Sequence, residues 1–221
     1  MCSLWGNKET LGEIAVTIAH EIKNPLAVAL ANIDLIKETD TAEVYEKYCS
    51  IIEQELYKIN QLVFDLINIT LLSNESDEMF DLTEMLDQLT SEYQQRYETI
   101  SFLRQQDLPA YQFRGVVKHI RMVFTNILNN AVEAITQQGI IEIIQENRPN
   151  AIQITINDNG VGLPPETLIQ PDKFYTTKKN GTGIGLHYCR LAIAKYGGRF
   201  KLQNRPEGGC SAIIELPSKD N

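Results

Sequence analysis

The chain of 221 residues is 43% hydrophobic and has a formal net charge of −9, a composition typical of a soluble globular protein with one large or two modest domains. No apolar run approaches the ~20 residues of a membrane-spanning helix, and the N-terminus lacks a secretory signal. We therefore expect a cytoplasmic chain without membrane contact of its own, although the cytoplasmic part of a membrane-bound receptor would look the same. The negative charge argues against nucleic acid as a partner, because phosphate backbones bind cationic surfaces.

Residues 8–38 and 42–72 are predicted to form two long amphipathic helices, because apolar residues recur in both at helical spacing. The polar segment 38–43 can turn the chain between them. A hairpin of this kind cannot bury its apolar stripes alone, whereas two copies can pack as a four-helix bundle. We therefore expect a homodimer, with a first domain over residues 8–74.

A polar break at residues 73–78 precedes an alternating pattern that predicts an α/β domain over residues 79–217. We expect helices on one face of a mixed sheet, which makes a two-layer sandwich. The predicted helices are 82–96, 116–137 and 183–196, and the predicted strands are 99–104, 111–114, 139–146, 151–157, 199–204 and 210–216.

The four cysteines are far apart in sequence and form no Cys-x-x-Cys pair. This spacing argues against a zinc site or a redox motif. Free thiols in a reducing compartment are therefore expected.

The segment Ala19-His20-Glu21-Ile22-Lys23-Asn24-Pro25-Leu26 places a histidine on the outer side of the first helix. With Ile18 and Ile22 facing the core, His20 lies about 200° around the helix from each and points to solvent. Pro25 removes one backbone hydrogen bond just past the histidine and loosens or bends the helix there. A neutral imidazole with a pKa near ~6.5 is a usable nucleophile at neutral pH.

Asn126, Asn130 and Glu133 share one side of the helix predicted at 116–137, within about 60° of one another. The opposite side of this helix is apolar. A stripe of carboxamide oxygens suits Mg²⁺, which takes oxygen ligands and retains several waters and substrate phosphates. A solvated polar face explains the stripe equally well.

Asp158-Asn159-Gly160-Val161-Gly162 follows the strand predicted at 151–157. A carboxylate at a strand end can accept a hydrogen bond from the amino group of adenine, and the glycines let backbone approach a ligand closely. A tight turn would explain the same residues.

Residues 173–186 are rich in glycine and lysine and open the helix predicted at 183–196. Backbone N–H groups and the positive dipole end of a helix N-terminus bind phosphate. Between residues 173 and 205 every charged side chain is basic, which favours a small anionic ligand, although a solvated basic face would look the same. The glycine spacing is neither that of a P-loop nor that of a dinucleotide-binding fold.

Taken together, in this order and spacing, these segments resemble the H, N, G1, F and G2 boxes of the sensor histidine kinase family. The resemblance extends from about residue 11 to residue 217. It implies a dimerisation and histidine phosphotransfer domain that forms a dimeric four-helix bundle, followed by a Bergerat-type ATP-binding domain like those of gyrase, heat-shock protein 90 and mismatch-repair ATPases. The His-Glu-Ile-Lys-Asn-Pro-Leu and Asn-Ala-Val-Glu-Ala segments most resemble the sporulation-kinase and nitrogen-regulatory branch.

The resemblance implies a two-component protein histidine kinase that uses ATP and Mg²⁺ to phosphorylate His20. The phosphoryl group would pass to an aspartate in the receiver domain of a response regulator, and phosphatase activity can coexist. Glu21 would act as general base or orient His20, and Asn24 would assist phosphotransfer or position water for dephosphorylating the partner. A small protein inhibitor is a further class of partner.

For the nucleotide, the resemblance implies that Asn130 coordinates Mg²⁺ and that Asn126 contributes to metal or phosphate binding. Asp158 would bind the adenine, in a pocket shaped by Gly160 and Gly162.

Residues from about 163 to 181 would form a lid over ATP, anchored by Phe174. The other residues implied at the nucleotide, mostly at its phosphates, are Thr177, Lys178, Gly181, Thr182, Gly183 and Gly185.

Two segments depart from the family pattern. Residues 114–121 lack the acidic residue that is often seen before the N box, and the second departure lies near the end of the chain. Relatives usually carry Gly-Thr-x-Phe before the last strand ends, whereas this chain has Gly209-Cys210-Ser211-Ala212. Cysteine is a poorer hydrogen-bond partner than threonine, so the adenine side of the pocket is altered unless Ser211 compensates.

Other function classes fit parts of the pattern less well. A related ATPase of the chaperone or repair type would carry a glutamate in place of Asn126 to activate water, and a carboxamide cannot act as a base. A serine protein kinase of the same superfamily would not need the His20 hairpin. A non-enzymatic dimeric scaffold would not need Asn130, Asp158 and the glycines.

Overall fold

The computed structural model describes residues 8–38, 41–72, 76–105, 108–148, 150–164 and 184–217. These residues belong to two compact units, one helical and one α/β. The predicted order of a helical hairpin followed by an α/β domain is confirmed.

The hairpin consists of α1 (Lys8–Lys37) and α2 (Ala42–Leu71), which pack against each other. Pro25 is buried inside α1, and the helix continues through it although proline cannot donate a backbone hydrogen bond. The buried Asn32 and Asn68 each satisfy their amide nitrogen on a carbonyl one turn back, at 2.8 Å. The buried apolar side chains of this unit are Ile18, Ala29, Leu62, Ile69 and Leu72.

The hairpin also exposes many large apolar side chains. On α1 and α2 these are Val16, Leu26, Val28, Leu30, Ile33, Leu35, Tyr45, Leu56, Tyr57, Val63, Phe64 and Ile67. Leu56, Val63 and Ile67 recur at helical spacing, so they form one stripe along α2. Among the described residues, no helix is long and apolar enough to cross a membrane.

The α/β unit opens with a strand that the sequence pattern missed. Strand β1 (Glu78–Asp81) pairs antiparallel with β3 (Gln112–Gly115) in a small two-stranded sheet. The predicted polar break at 73–78 thus runs into the first residue of a strand. Its four residues do not alternate between buried and exposed, so no period of two marks them as a strand.

The main sheet has five strands in the order β2-β4-β5-β7-β6. Only the β2–β4 pair is parallel, so the sheet is mixed as predicted. These strands are β2 (Ile100–Arg104), β4 (Gly139–Arg148), β5 (Ala151–Asp158), β6 (Arg199–Asn204) and β7 (Cys210–Pro217). Strand β4 is longer than predicted because Arg148 pairs with Ala151 and shortens the turn.

Three described helices belong to this unit, namely α3 (Leu82–Arg96), α4 (Val117–Ala134) and α5 (Ile184–Lys195). Helix α3 begins where Asp81 accepts hydrogen bonds from the backbone N–H groups of Thr83 and Glu84, a standard N-cap. Helix α4 ends at Ala134, three residues before the predicted end, because Ile135 adopts an extended conformation.

Strands β4, β5 and β7 bury alternate residues, which gives the sheet one covered face. On β5 the buried residues are Ile152, Ile154, Ile156 and Asp158. Burying one such isoleucine side chain contributes about 1.5–3 kcal/mol, so the apolar members fix the register of β5. That register carries Asp158 to the buried face at the strand end.

Candidate functional site

Asp158 is a buried carboxylate with 5% of its surface exposed. Its Oδ1 atom accepts hydrogen bonds from the backbone N–H of Gly160 at 2.9 Å and from that of Cys210 at 3.2 Å. Burial raises the pKa of Asp158, and the two backbone donors and the Arg205 guanidinium oppose that rise in part. Asp158 is therefore a poorly solvated carboxylate that can accept further hydrogen bonds.

Hydrogen bonds join the loop after Asp158 to two neighbouring elements, β4 and α4. The Asn159 Oδ1 atom accepts from the backbone N–H of Ile140 at 2.9 Å, which ties the loop to the start of β4. The backbone N–H of Val161 donates to the carbonyl of Ala134 at 3.0 Å. This second bond satisfies a carbonyl at the C-terminus of α4 and joins that helix directly to the loop.

Gly160 stands where no side chain fits. A Cβ atom added to it would lie 2.5 Å from the carbonyl oxygen of Ala134, so only glycine lets the loop approach α4 this closely. Gly162 has a positive φ of 74°, a conformation that also favours glycine. Both predicted pocket glycines therefore have local backbone reasons for their identity.

A tyrosine of α3 fixes the orientation of helix α4 about its own axis. The Tyr93 hydroxyl donates to Asn129 Oδ1 at 2.6 Å and lies 3.3 Å from the carbonyl of Thr125. Burial raises the pKa of Tyr93 to about 12, so this hydroxyl keeps its proton and remains a donor at neutral pH. Asn129 of α4 is thus hydrogen-bonded to α3. The next residue, Asn130, lies about 100° further around α4 and faces another side.

The polar residues of α4 differ in exposure. Asn126 and Asn130 are half-buried, whereas Glu133 is exposed. The apolar face opposite them is buried as predicted from Ile120 to Ala131, while Ile135 lies past the end of α4 and is half-buried.

The structure brings Asn126 close to Gly185 at the start of α5. A Cβ atom added to Gly185 would lie 3.3 Å from Asn126 Oδ1. The Asn126 amide nitrogen is buried and makes no hydrogen bond of normal geometry among the described residues. Its polar neighbour is the Cys189 thiol, whose pKa is raised to about 12 by burial and lowered in part by Asn126. Sulfur is a weak acceptor, so this carboxamide keeps unused hydrogen-bonding capacity.

His20 lies on α1 in the helical unit and is exposed, together with Asn24. Glu21 and Ile22 are half-buried, and Ile18 is 1% exposed. The predicted outward orientation of His20 opposite Ile18 agrees with this pattern of burial. An exposed imidazole on a helix is accessible to a reactant from solvent.

Two family models match the chain. Residues 10–75 match the His Kinase A (phospho-acceptor) domain. Residues 115–220 match the histidine kinase-, DNA gyrase B- and HSP90-like ATPase. The chain belongs to the sensor histidine kinase family. The predicted resemblance to this family, including its ATP-binding domain, is confirmed.

Sporulation kinase A of Bacillus subtilis is 29% identical to this chain over 212 residues, which are 94% of this chain and 35% of that protein. A putative sensor histidine kinase of the NtrY-like type from Rickettsia prowazekii is 27% identical over 212 residues, which are 92% of this chain and 35% of that protein. The chain thus spans about a third of the length of these curated relatives, which lie in the predicted sporulation and nitrogen-regulatory branch.

A solved structure has the same two-part organisation. Histidine kinase ThkA in complex with response regulator protein TrrA matches with 26% identity and a TM-score of 0.74, covering 95% of this chain and 62% of the ThkA chain.

Several residues predicted at the nucleotide lie outside the described residues of this histidine kinase. They are Phe174, Thr177, Lys178, Gly181, Thr182 and Gly183. The predicted lid lies outside them as well, except for residues 163 and 164.

The unusual Cys210 contacts Asp158 through its backbone N–H, which any residue other than proline could supply. Its thiol is buried, and burial followed by the Asp158 charge raises the thiol pKa to about 12. Ser211 does not take over a role at Asp158, because its hydroxyl donates to Asn157 Oδ1 at 2.5 Å.

Sequence reasoning missed the residues of the β6–β7 connection that contact the Asp158 loop. Arg205 Nη1 donates to the Asp158 carbonyl at 3.1 Å. Gly209 lies so close that an added Cβ atom would stand 2.0 Å from the same carbonyl oxygen. The only sequence signal was the pair Gly208-Gly209, which indicates a turn but not the strand end beside which it lies.

If Asp158 binds the adenine, as the resemblance implies, Asp158→Asn should weaken ATP binding by about 10- to 100-fold, because the carboxamide can present a donor where the adenine amino group would need an acceptor. The unliganded kinase should keep its stability, since Oδ1 still accepts both backbone hydrogen bonds and a buried charge is removed. Isothermal titration calorimetry and thermal melting measure the two effects.

The pH dependence of stability supplies the control. Because the pKa of Asp158 is raised in the folded state, its destabilising effect is full above that raised pKa and disappears below the ordinary value. Any gain in Tm of the Asp158→Asn variant over the wild type should therefore shrink as the pH falls through this window. Unchanged ATP affinity, or a variant less stable than the wild type at neutral pH, would contradict the assignment.

Proposed function

We propose that this chain phosphorylates itself on His20 with ATP as the donor and passes the phosphoryl group to an aspartate in a response-regulator receiver domain. The observation that supports this most is an exposed imidazole in the phospho-acceptor domain of a chain that also carries a buried carboxylate in an ATPase domain. We assign residues 8–74 to dimerisation and phosphotransfer and residues 79–217 to ATP binding.

In this proposal Asp158 accepts a hydrogen bond from the adenine amino group. Gly160 and Gly162 keep the loop close to α4 and leave room for the base. Since the Asp158 carboxylate is buried and poorly solvated, a donor on a bound base would replace the solvation that folding removed.

The residues of α4 and α5 fit a nucleotide with its metal. Asn130 and the nearby Asn126 offer carboxamide oxygens, and Asn126 Oδ1 already faces Gly185 at the start of α5. Mg²⁺ needs few protein ligands because it keeps waters and phosphate oxygens in its shell. When bound, ATP would supply the phosphoryl group, and Mg²⁺ would neutralise negative charge on the phosphates.

The helical unit supplies the acceptor. A nitrogen of the His20 imidazole would form a bond to the γ-phosphorus of ATP while the bond from that phosphorus to the β–γ bridging oxygen breaks and ADP leaves. Glu21 would take or orient the proton on the ring. Asn24 lies one turn further along α1 and is exposed like His20, so both can meet the same reactant. Positioning and charge neutralisation are the usual means of catalysing phosphoryl transfer.

Asn126 favours transfer to protein over hydrolysis. ATPases that drive conformational change need a base to activate water, and a carboxamide cannot supply one. The half-buried Asn126 has its amide nitrogen enclosed beside the Cys189 thiol, and its carboxamide offers no base for activating water at this position of α4. A hydrolytic motor is therefore the weaker candidate.

We propose that the chain is a homodimer, because a single hairpin exposes the α2 stripe formed by Leu56, Val63 and Ile67. Contiguous apolar surface of this kind marks an interaction site, and a second hairpin would complete a four-helix bundle. The solved complex of ThkA with a response regulator supports a receiver domain as the second partner. A small protein inhibitor is a third class of partner. We also propose that the chain is located in the cytoplasm.

We predict that His20→Ala abolishes autophosphorylation while ATP binding stays within about twofold of the wild type, because His20 lies in the helical unit. Incubation with γ-labelled ATP and Mg²⁺ measures the first effect, and calorimetry measures the second. The exposed Lys23→Ala serves as control and should incorporate label normally. Acid-labile label that persists on His20→Ala would exclude this residue as the acceptor.

Asn130→Asp should lower turnover with Mg-ATP by about tenfold or more, because a full charge changes both metal affinity and repulsion of the phosphates. Steady-state autophosphorylation over a range of Mg²⁺ concentrations checks this. The matched control is Asn150→Asp in the exposed β4–β5 turn, which should behave as wild type. Wild-type turnover and Mg²⁺ dependence in Asn130→Asp would remove Asn130 from the metal site.

Leu56→Glu should dissociate the dimer, because it places a charge within the apolar stripe of α2. Sedimentation equilibrium gives the mass directly. Gln54→Glu adds the same charge at an exposed polar position of α2 and should leave the dimer intact. A wild-type chain that is monomeric at micromolar concentration would refute the proposed assembly.

A further inference from the structure

The Asn204 side chain at the end of β6 grips the backbone of Leu163. Its Oδ1 atom accepts from the Leu163 N–H at 2.7 Å, and its Nδ2 atom donates to the Leu163 carbonyl at 2.8 Å. The two partners lie 41 positions apart in sequence. Because one backbone group is a donor and the other an acceptor, only one orientation of the amide satisfies both.

These bonds serve the loop rather than the strand. Asn204 is paired in the sheet with Cys210 through its backbone, so β6 and β7 do not need its side chain. Asn204 is exposed, and exposed hydrogen bonds add little to global stability. The effect of this amide is therefore local, on the conformation of the backbone at Leu163.

The same connection between β6 and β7 also holds the other end of the loop. Arg205 donates to the Asp158 carbonyl, Cys210 donates to the Asp158 carboxylate, and Gly209 packs against the Asp158 backbone. A hydrogen bond from the Arg205 N–H to the Gly209 carbonyl at 3.0 Å closes the connection on itself. The end of β6 and its connection to β7 thus hold loop 158–163 at both ends, at Asp158 and at Leu163.

We propose that Asn204 is a positioning residue for nucleotide binding, acting through Leu163 to hold loop 158–163 in the shape that receives the base. This inference rests on the proposed ATP site at Asp158. A loop fixed before binding needs no ordering when the ligand arrives. Freeing the backbone of a single residue changes a binding equilibrium by about tenfold.

The test is calorimetric titration of the full chain with a non-hydrolysable ATP analogue and Mg²⁺. Asn204→Ala should raise the Kd about tenfold, because the loop must then be ordered on binding. Asn204→Asp keeps the acceptor for the Leu163 N–H but places a second carboxylate oxygen against the Leu163 carbonyl, so its Kd should rise at least as much as that of Asn204→Ala. The neighbouring amide Gln203→Ala is the control and should keep the wild-type Kd.

Kinetics separate positioning from a structural role. In autophosphorylation the KM for ATP should rise as the Kd does, while kcat stays within about twofold, because binding of substrate and transition state is weakened alike. The unliganded Tm should fall by less than about 4 °C, as expected for the loss of about one net hydrogen bond. Transfer from phosphorylated His20 to a receiver domain, which uses no nucleotide, should be unchanged.

The outcomes also distinguish this inference from the proposed function. If Asp158→Asn weakens binding of the analogue but both Asn204 variants bind as wild type, the positioning role is wrong and the ATP site stands. If Asp158→Asn and the Asn204 variants all bind as wild type, the ATP site itself is misplaced and the inference falls with it. A loss of kcat or a large loss of Tm in Asn204→Asp would assign Asn204 a structural role instead.

Discussion

The burial of the Asp158 carboxylate is the constraint around which the proposed nucleotide site of the α/β unit is arranged. A charged group removed from water must be compensated by the groups that surround it. Here the backbone donors of Gly160 and Cys210 compensate one oxygen, and the pKa of Asp158 nevertheless stays raised. In the proposed function, this incomplete compensation lets the carboxylate accept a further hydrogen bond from a bound base.

The same constraint explains the contacts of the surrounding backbone. A carboxylate can meet its donors only if the loop after β5 has one conformation, and the loop is tied to β4, to α4 and to the β6–β7 connection. Helix α4 is in turn fixed at its start by a hydrogen bond from the Val116 N–H to the Tyr196 hydroxyl and in its middle by Tyr93. The two halves of the proposed nucleotide site, Asn130 and Asp158, are therefore carried by elements that are hydrogen-bonded to each other.

How much the sequence could predict follows from the range of each interaction. Helical periodicity found α1 and α2, and the alternation of β-branched residues found β5, because both signals are local. The strand β1 was missed because its residues show no alternation. The hydrogen bonds of Asn204 to Leu163 were missed because no local pattern indicates a contact between residues 41 positions apart. The roles of Asp158 and His20 rest on the resemblance to the family, and they stay predictions; the structure shows that Asp158 is buried and His20 exposed.

The account as a whole depends on the exposed imidazole of α1 as the acceptor of the phosphoryl group. The most direct measurement is to incubate the purified chain with ATP and Mg²⁺ and to locate the phosphate by mass spectrometry at alkaline pH, where phosphohistidine survives. The account predicts one phosphate per modified chain, on His20, that is lost on brief treatment with acid. Phosphate on a serine, threonine or aspartate, or no incorporation at all with saturating nucleotide and metal, would contradict it.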